Sequence, residues 1–266
     1  MAPSRAVLLT GASSGTGLSS GTGRATALRL HRAGWPVYAT GRSVEALADL
    51  AAEGITTLYV DVTEEKSMMA AVERITAEHG AVGVLINNAA YSLNGTIGET
   101  PIEEVRRQFE TNVFGVLRTI YAALPELEKT RGNLAIIGSV AGWVSSAGAS
   151  PYSMSKFAVR ALANAITQEL KPAGVKVTLI SPGFVISEIR QVDNQGKLRA
   201  LSEATKPHPL AMKTEPAVYD MLQAIARGKR EAIITLHGKF FVQLDRFFPW
   251  VTRAHAERIS ARRDKT

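Results

Sequence analysis

The chain contains no cysteine, which excludes disulfides, thiolate metal sites and thiol nucleophiles from its chemistry. Long apolar runs are also missing. No stretch approaches the roughly 20 apolar residues of a membrane-spanning helix, and the opening "MAPSRAVLLTG" has too short an apolar run for a signal peptide. A soluble, cytoplasmic protein is therefore expected, with no metal site. Acid is scarce relative to base: 24 Asp and Glu face 31 Lys and Arg, for a formal charge of +7. Most of that excess lies in residues 227–266, where ten Lys or Arg face four acids. Such a tail fits nucleic acid or an anionic membrane. "KFFVQLDRFFPWVTR" lacks the repeated basic and stacking pattern of a nucleic-acid module, so no nucleic-acid partner is expected. The leading reading is a solvated helix face with a buried aromatic side; weak membrane-surface contact is the second.

The 266 residues, 45% of them hydrophobic, suit one large α/β domain, and no linker divides them. Short apolar runs recur between helical patterns: "RAVLLT", "PVYATG", "TTLYV", "VGVLIN", "NLAIIGS", "VKVTLIS" and "EAIITL". Runs that are apolar throughout read as strands buried on both faces. Seven of them separated by helices predict a single doubly wound, Rossmann-type α/β domain, a seven-stranded parallel sheet with helices on both faces. Thr100-Pro101 with Glu103 reads as a capping box opening a helix through "EEVRRQFETNVFGVLRTIYAAL". Thr63 reads as the cap of the next helix upstream, stopped by Gly80, and another helix is expected over about 151–170. Residues 188–216 are the least periodic and read as a flap over a site, and about 236–266 as a basic amphipathic extension.

The first strand runs into "TGASSGTGLSSGTGRATA", where SSGTG occurs twice, six residues apart. Glycines at that place let backbone approach a pyrophosphate, and amides at a helix start bind anions. The stretch resembles the TGxxxGxG turn of the short-chain dehydrogenase/reductases, and by that resemblance Thr10–Gly17 keeps the family's distance from the first strand, whereas Gly23 keeps its distance to the end of the second. The expectation is a stretched loop, with the helix beginning near Gly21–Gly23, because a helix begun at Gly17 would carry Gly21 and Gly23 at about 1 kcal/mol each. Downstream, Ser139 at the end of a core strand is followed by Tyr152 and Lys156. The i, i+4 spacing puts phenol and ammonium on one helix face, which favours phenolate and draws its pKa toward neutrality, as a general acid/base requires.

TGxxxGxG with a downstream Ser and YxxxK resembles the short-chain dehydrogenase/reductase family over about residues 5–190. The resemblance implies a catalytic set of Asn112, Ser139, Tyr152 and Lys156: Tyr152 exchanges the proton, Ser139 orients the reacting oxygen, Lys156 tunes Tyr152 and holds the nicotinamide ribose, and Asn112 bends its helix around a water in the proton relay. It implies a cofactor turn of Gly11, Ser13, Ser14, Gly15 and Gly17, extended here by Gly21, Thr22 and Gly23. Asp61 and Val62 are placed at the adenine, and Asn88, Ala89 and Ala90 at the ribose, where the family usually has NNAG in place of NNAA. Pro182, Gly183, Val185 and Ser187 are placed at the carboxamide, Ser187 standing in for the usual threonine. The second strand ends "YATGRS" without an acid, and a planar, permanently charged Arg42 there suits a 2′-phosphate, so NADP(H) is expected over NAD(H). Trp143, Tyr91 and Phe184 are expected near the substrate entrance or in the core. The implied activity is hydride transfer between NADP and a carbonyl or secondary alcohol of an apolar or lipid-like small molecule, in a homodimer or homotetramer formed through the helices of Asn112 and Tyr152. The alternative is a catalytically impaired dinucleotide-binding sensor or assembly subunit, on account of the duplicated turn and Ala90.

Overall fold

The computed structural model describes residues 6–13, 21–186, 208–252, 254 and 257. Seven strands form one sheet: β1 (Val7–Leu9), β2 (Val37–Gly41), β3 (Thr56–Tyr59), β4 (Val84–Asn87), β5 (Asn133–Ile137), β6 (Lys176–Ser181) and β7 (Glu231–Ile233). Their order is β3-β2-β1-β4-β5-β6-β7 and every pairing is parallel. All seven coincide with the apolar runs of the sequence. Parallel neighbours need crossovers, which are supplied by α1 (Thr22–Arg32), α2 (Ala48–Ala52), α3 (Glu65–His79), α4 (Ile102–Phe109), α5 (Gly115–Thr130), α6 (Ser150–Glu169) and α7 (Thr214–Ala226); α8 (Leu236–Phe247) follows β7.

Two apolar cores cover the two faces of the sheet. On one, Met68 and Ile75 of α3, Val116, Ile120 and Leu127 of α5 and Val159 of α6 pack on Leu8, Leu85 and Leu134. On the other, Ala27 and Leu28 of α1, Leu50 of α2 and Met221 and Ile225 of α7 pack on Val7, Leu9, Ala39 and Ile86. Successive side chains of each central strand thus enter opposite cores, the physical reason those runs are apolar at every position. The edge strands β3 and β7 are only partly covered, and Tyr59 is half exposed.

Several helix ends differ from expectation. Thr100 caps nothing: α4 begins at Ile102 with Pro101 as its N-cap residue, and the Thr100 hydroxyl donates to the Thr96 carbonyl. Thr63 is likewise one residue outside the cap, because its amide and hydroxyl both donate to Asp61 Oδ1, and Glu64 precedes α3. Gly80 does end α3. The expected long helix is α4 and α5 joined by a π turn, Glu110–Phe114, and it continues to Thr130 past Pro125. The expected flap overlaps regular structure at its end, since α7 begins at Thr214, and residues 188–207 lie outside the described residues.

Strand order reverses between β1 and β4, so the loops after their carboxyl ends diverge and leave a crevice there. Among the described residues, the candidate segments after β1, β2, β3, β4, β5 and β6 all lie at that edge of the sheet.

Candidate active site

The duplicated turn resolves into two contributions. Gly11, two residues before the first copy, has φ +73°, and a Cβ there would lie 2.5 Å from Ala89 Cα. Gly23, from the second copy, fits so closely that a Cβ would lie 2.6 Å from the Gly11 carbonyl oxygen and 2.7 Å from Asn88 Nδ2. A glycine before the first repeat and the last glycine of the second repeat therefore meet. α1 starts at Thr22, with Gly21 as its N-cap residue, as the stretched-loop reading expects. Ser14, Gly15 and Gly17 lie outside the described residues.

Asn88 fastens this arrangement. Its Nδ2 donates to the carbonyls of Thr10 (3.1 Å) and Gly11 (3.0 Å), and its Oδ1 accepts from the Thr22 hydroxyl at 3.0 Å. Thr10 Oγ1 in turn accepts the amides of Asn88 and Ala89. Ala90 is half-buried in the same strand extension. Arg24, one residue beyond Gly23, is fully buried. It pairs with Asp49 and donates to the carbonyls of Ala12 and Ala46, tying α1 to the turn and to α2. Sequence reading missed Arg24; the only signal was a cation on an otherwise apolar helix start.

At the end of β2, Ser13 lies against Gly41, where an added Cβ would meet its Oγ at 2.3 Å. Arg42 is exposed, with no ion pair among the described residues, and Ser43 Oγ accepts the Ala46 amide. Asp61 Oδ1 is occupied by Thr63, so this carboxylate shapes its own turn. Val62 is buried against the start of α5, where a Cβ on Gly115 would lie 2.7 Å from its Cγ2.

The candidate reacting groups assemble where β5 meets α6. Lys156 is buried and its ammonium donates to the Ile137 carbonyl at 2.9 Å, two residues before Ser139. Its Nζ sits 5.7 Å from the centre of the Tyr152 ring. Burial pushes the Lys156 pKa down to about 8. Ser139, two residues past β5, has extended backbone, and its hydroxyl accepts the Ala141 amide. The following turn, Val140–Gly142, presses on α6 so tightly that a Cβ on Gly142 would lie 2.6 Å from the Lys156 carbonyl oxygen. Ser139 is thereby held beside the Tyr152 and Lys156 helix.

Asn112 is buried at the middle of the π turn. Its Oδ1 accepts the Tyr91 amide, while its Nδ2 donates to the Tyr91 carbonyl and to Ser155 Oγ. One turn earlier, buried Gln108 donates to the same Tyr91 carbonyl. Gln108 and Ser155 were not singled out in the sequence; two amide side chains at i, i+4 in a helix were the available signal. The Tyr91 hydroxyl is buried without a partner among the described residues, and burial raises its pKa. Trp143 is half-buried, donates from Nε1 to Ser181 Oγ, and carries the Arg160 guanidinium 3.3 Å from its ring centre.

The segment after β6 is fixed from both sides. The Pro182 carbonyl accepts the Val140 amide. A Cβ on Gly183 would lie 2.3 Å from Thr235 Oγ1 and 2.5 Å from His237 Nε2. Val185 bridges Met212 through the Phe184 carbonyl and the Ile186 amide, so the Val185 amide and carbonyl project from the opposite edge. Phe184 stacks between His208 and His237, with ring centres 4.0 and 5.3 Å away, and its amide donates to His237 Nε2 at 2.8 Å. Ser187 lies outside the described residues. No group of residues suited to hold a metal ion occurs among those described.

A parallel sheet with a glycine cradle at its switch point and a buried lysine beside a tyrosine defines a dinucleotide-dependent oxidoreductase class. Residues 5–198 match the family model for short chain dehydrogenase, and the chain belongs to that family. It is similar to an uncharacterized oxidoreductase of Myxococcus xanthus (strain DK1622), 36% identical over 234 residues that cover 85% of this chain and 86% of the relative. An NADPH-dependent 1-acyldihydroxyacetone phosphate reductase of Schizosaccharomyces pombe (strain 972 / ATCC 24843) is 34% identical over 191 residues, 71% of this chain and 63% of that protein. Among solved structures, a short-chain dehydrogenase from Streptomyces avermitilis superposes with a TM-score of 0.79 at 28% identity, covering 97% of this chain and 98% of that one.

Proposed function

We propose that the chain is an NADP(H)-dependent oxidoreductase acting on a carbonyl or secondary alcohol of an apolar or lipid-like small molecule, with Tyr152 as general acid/base. The observation that carries this reading is the buried Lys156 ammonium, anchored at the end of β5 and set beside the Tyr152 ring. A cation held there favours the phenolate form of its neighbour, which makes the tyrosine a competent proton donor and acceptor. Tyr152 gives its proton to the carbonyl oxygen during reduction, and Ser139 donates a hydrogen bond that orients that oxygen. Gly11, Gly23, Asn88 and the helix start at Thr22 hold the dinucleotide, and the Val185 edge that faces away from Met212 receives its carboxamide. Bound nicotinamide supplies the hydride.

Arg42, exposed and free of carboxylate partners among the described residues, supports the choice of NADP(H): a guanidinium suits a 2′-phosphate. The relative from S. pombe, named for NADPH and for an acylated ketone, supports both the cofactor and the lipid-like substrate class. The meeting of Gly11 and Gly23 favours an active enzyme over an impaired sensor, because the duplication leaves the close approach intact. Exposed Phe114, Tyr121, Met154 and Phe157 on the helices of Asn112 and Tyr152 support assembly of a homodimer or homotetramer through them. The lack of cysteine suits a reducing, cytoplasmic setting. No helix among the described residues is long and apolar enough to cross a membrane.

The test is oxidation of NADPH, against NADH, with a panel of apolar ketones. Tyr152→Phe is expected to lower kcat by about 100-fold or more while leaving NADPH affinity and melting unchanged. Undiminished turnover in that variant rejects the mechanism.

A further inference from the structure

The outward face of α8 is apolar where a solvated helix would be polar. Leu236 is 83% exposed, Phe240 63% and Phe247 64%, and these three lie at i, i+4 and i+11 on one stripe. The stripe continues past the helix with Phe248 and with Trp250, 69% exposed. Lys239 and Arg246 flank it on one side. The single acid of the helix, Asp245, is turned inward and accepts the Thr252 hydroxyl. An apolar stripe with basic flanks and no exposed acid is the pattern of a helix lying in a membrane interface, and exposed Trp and Phe are the aromatics of that depth.

A second feature adjoins it. Lys239 also lines a cleft of about 180 Å³ between α7 and β7, together with Arg227, Lys229 and one acid, Asp220. Three cations around one cleft beside an apolar stripe match a phosphate-bearing headgroup whose acyl chains continue under the aromatics. The root of α8 touches the site: Thr235 and His237 enclose Gly183 and Phe184.

We propose that the exposed stripe of α8 and the Arg227, Lys229 and Lys239 cleft form a docking surface for an anionic lipid membrane, which sets the Gly183 and Phe184 end of the active site beside the bilayer. The docking surface stands on the exposed residues alone; the delivery of an apolar substrate from the bilayer rests on the proposed function. At physiological salt the attachment is reversible, because a single interfacial helix with few cations binds weakly.

The experiment is sedimentation of the full chain with vesicles of phosphatidylcholine alone and of phosphatidylcholine with phosphatidylserine. No cofactor or substrate is present, so the outcome is independent of catalysis. The wild type is expected to sediment with the anionic vesicles, less so at high salt, with a blue shift of tryptophan emission that Trp250→Phe removes. Phe240→Ser with Phe247→Ser, and separately Lys239→Glu with Arg246→Glu, are expected to lower the bound fraction by about tenfold with unchanged melting. With an active enzyme, the same variants are expected to keep turnover of a water-soluble ketone and lose turnover of a vesicle-embedded one. Wild-type protein that stays in the supernatant with anionic vesicles overturns the proposal, as does binding that neither pair of substitutions alters. A fall in oligomer mass on Phe240→Ser with Phe247→Ser, showing the stripe buried between copies, also overturns it.

Discussion

In the proposed mechanism, Lys156 trades stability for chemistry. Its pKa is lowered from 10.5 to about 8 by burial alone, so folding disfavours its charge. As pH falls from about 10.5 to about 8 the unfolded chain takes up the proton first, so stability declines across that window and the deficit persists at neutral pH. Lys156→Met is therefore expected to melt at or above the wild-type temperature at pH 7, while losing activity, as calorimetry and NADPH turnover would show. The free enzyme's kcat/KM for ketone reduction is expected to fall as pH rises past about 8, where the ammonium is lost. YxxxK spacing made this pair legible in the sequence. The burial that tunes it was not, because β5 and the Val140–Gly142 turn provide it from elsewhere in the chain.

At the scale of elements, the glycine turn and the segment after β6 carry the testable consequences. Removing residues 15–20 joins Ser14 to Gly21 and leaves one copy of SSGTG. Since Gly11 and Gly23 already meet, the shortened chain is expected to fold and to gain less than about 1 kcal/mol from the shorter loop. NADPH titration by tryptophan fluorescence is expected to show affinity retained or tightened; complete loss of binding would show that the inserted residues themselves hold the cofactor. The second consequence concerns His237, whose Nε2 must be unprotonated to accept the Phe184 amide. Burial and the neighbouring His208 lower its pKa from 6.5, so the neutral ring is the folded form. Below about pH 6.5 the unfolded chain protonates first, and stability is lost until the lower folded pKa is passed. Thermal melts of His237→Gln, whose amide oxygen can replace the acceptor, are expected to fall less between about pH 7 and 5.5 than those of the wild type. The strands were read correctly because burial on both faces imposes a local pattern. The caps at Thr63 and Thr100 were misread because their hydroxyls turn to Asp61 and Thr96, which the spacing rules do not weigh.

For the whole molecule, different partners are proposed for two exposed apolar surfaces, and both proposals are open to measurement. Tyr121 and Phe157 lie on the two long helices, and Tyr121→Glu with Phe157→Glu is expected to convert an oligomer to monomers in analytical ultracentrifugation, leaving vesicle binding through α8 in place. The sequence by itself determined the class of fold, because its apolar runs follow a pattern that burial on both faces enforces, and its resemblance to the family implied Asn112, Ser139, Tyr152, Lys156 and Arg42 as site residues. Only the tertiary structure decided that Gly11 and Gly23 meet, how Gln108 and Asn112 grip Tyr91, and that Phe240, Phe247 and Trp250 face outward. Each of these depends on contacts between segments tens of residues apart, and on which side of a helix the rest of the chain leaves uncovered, and local spacing encodes neither.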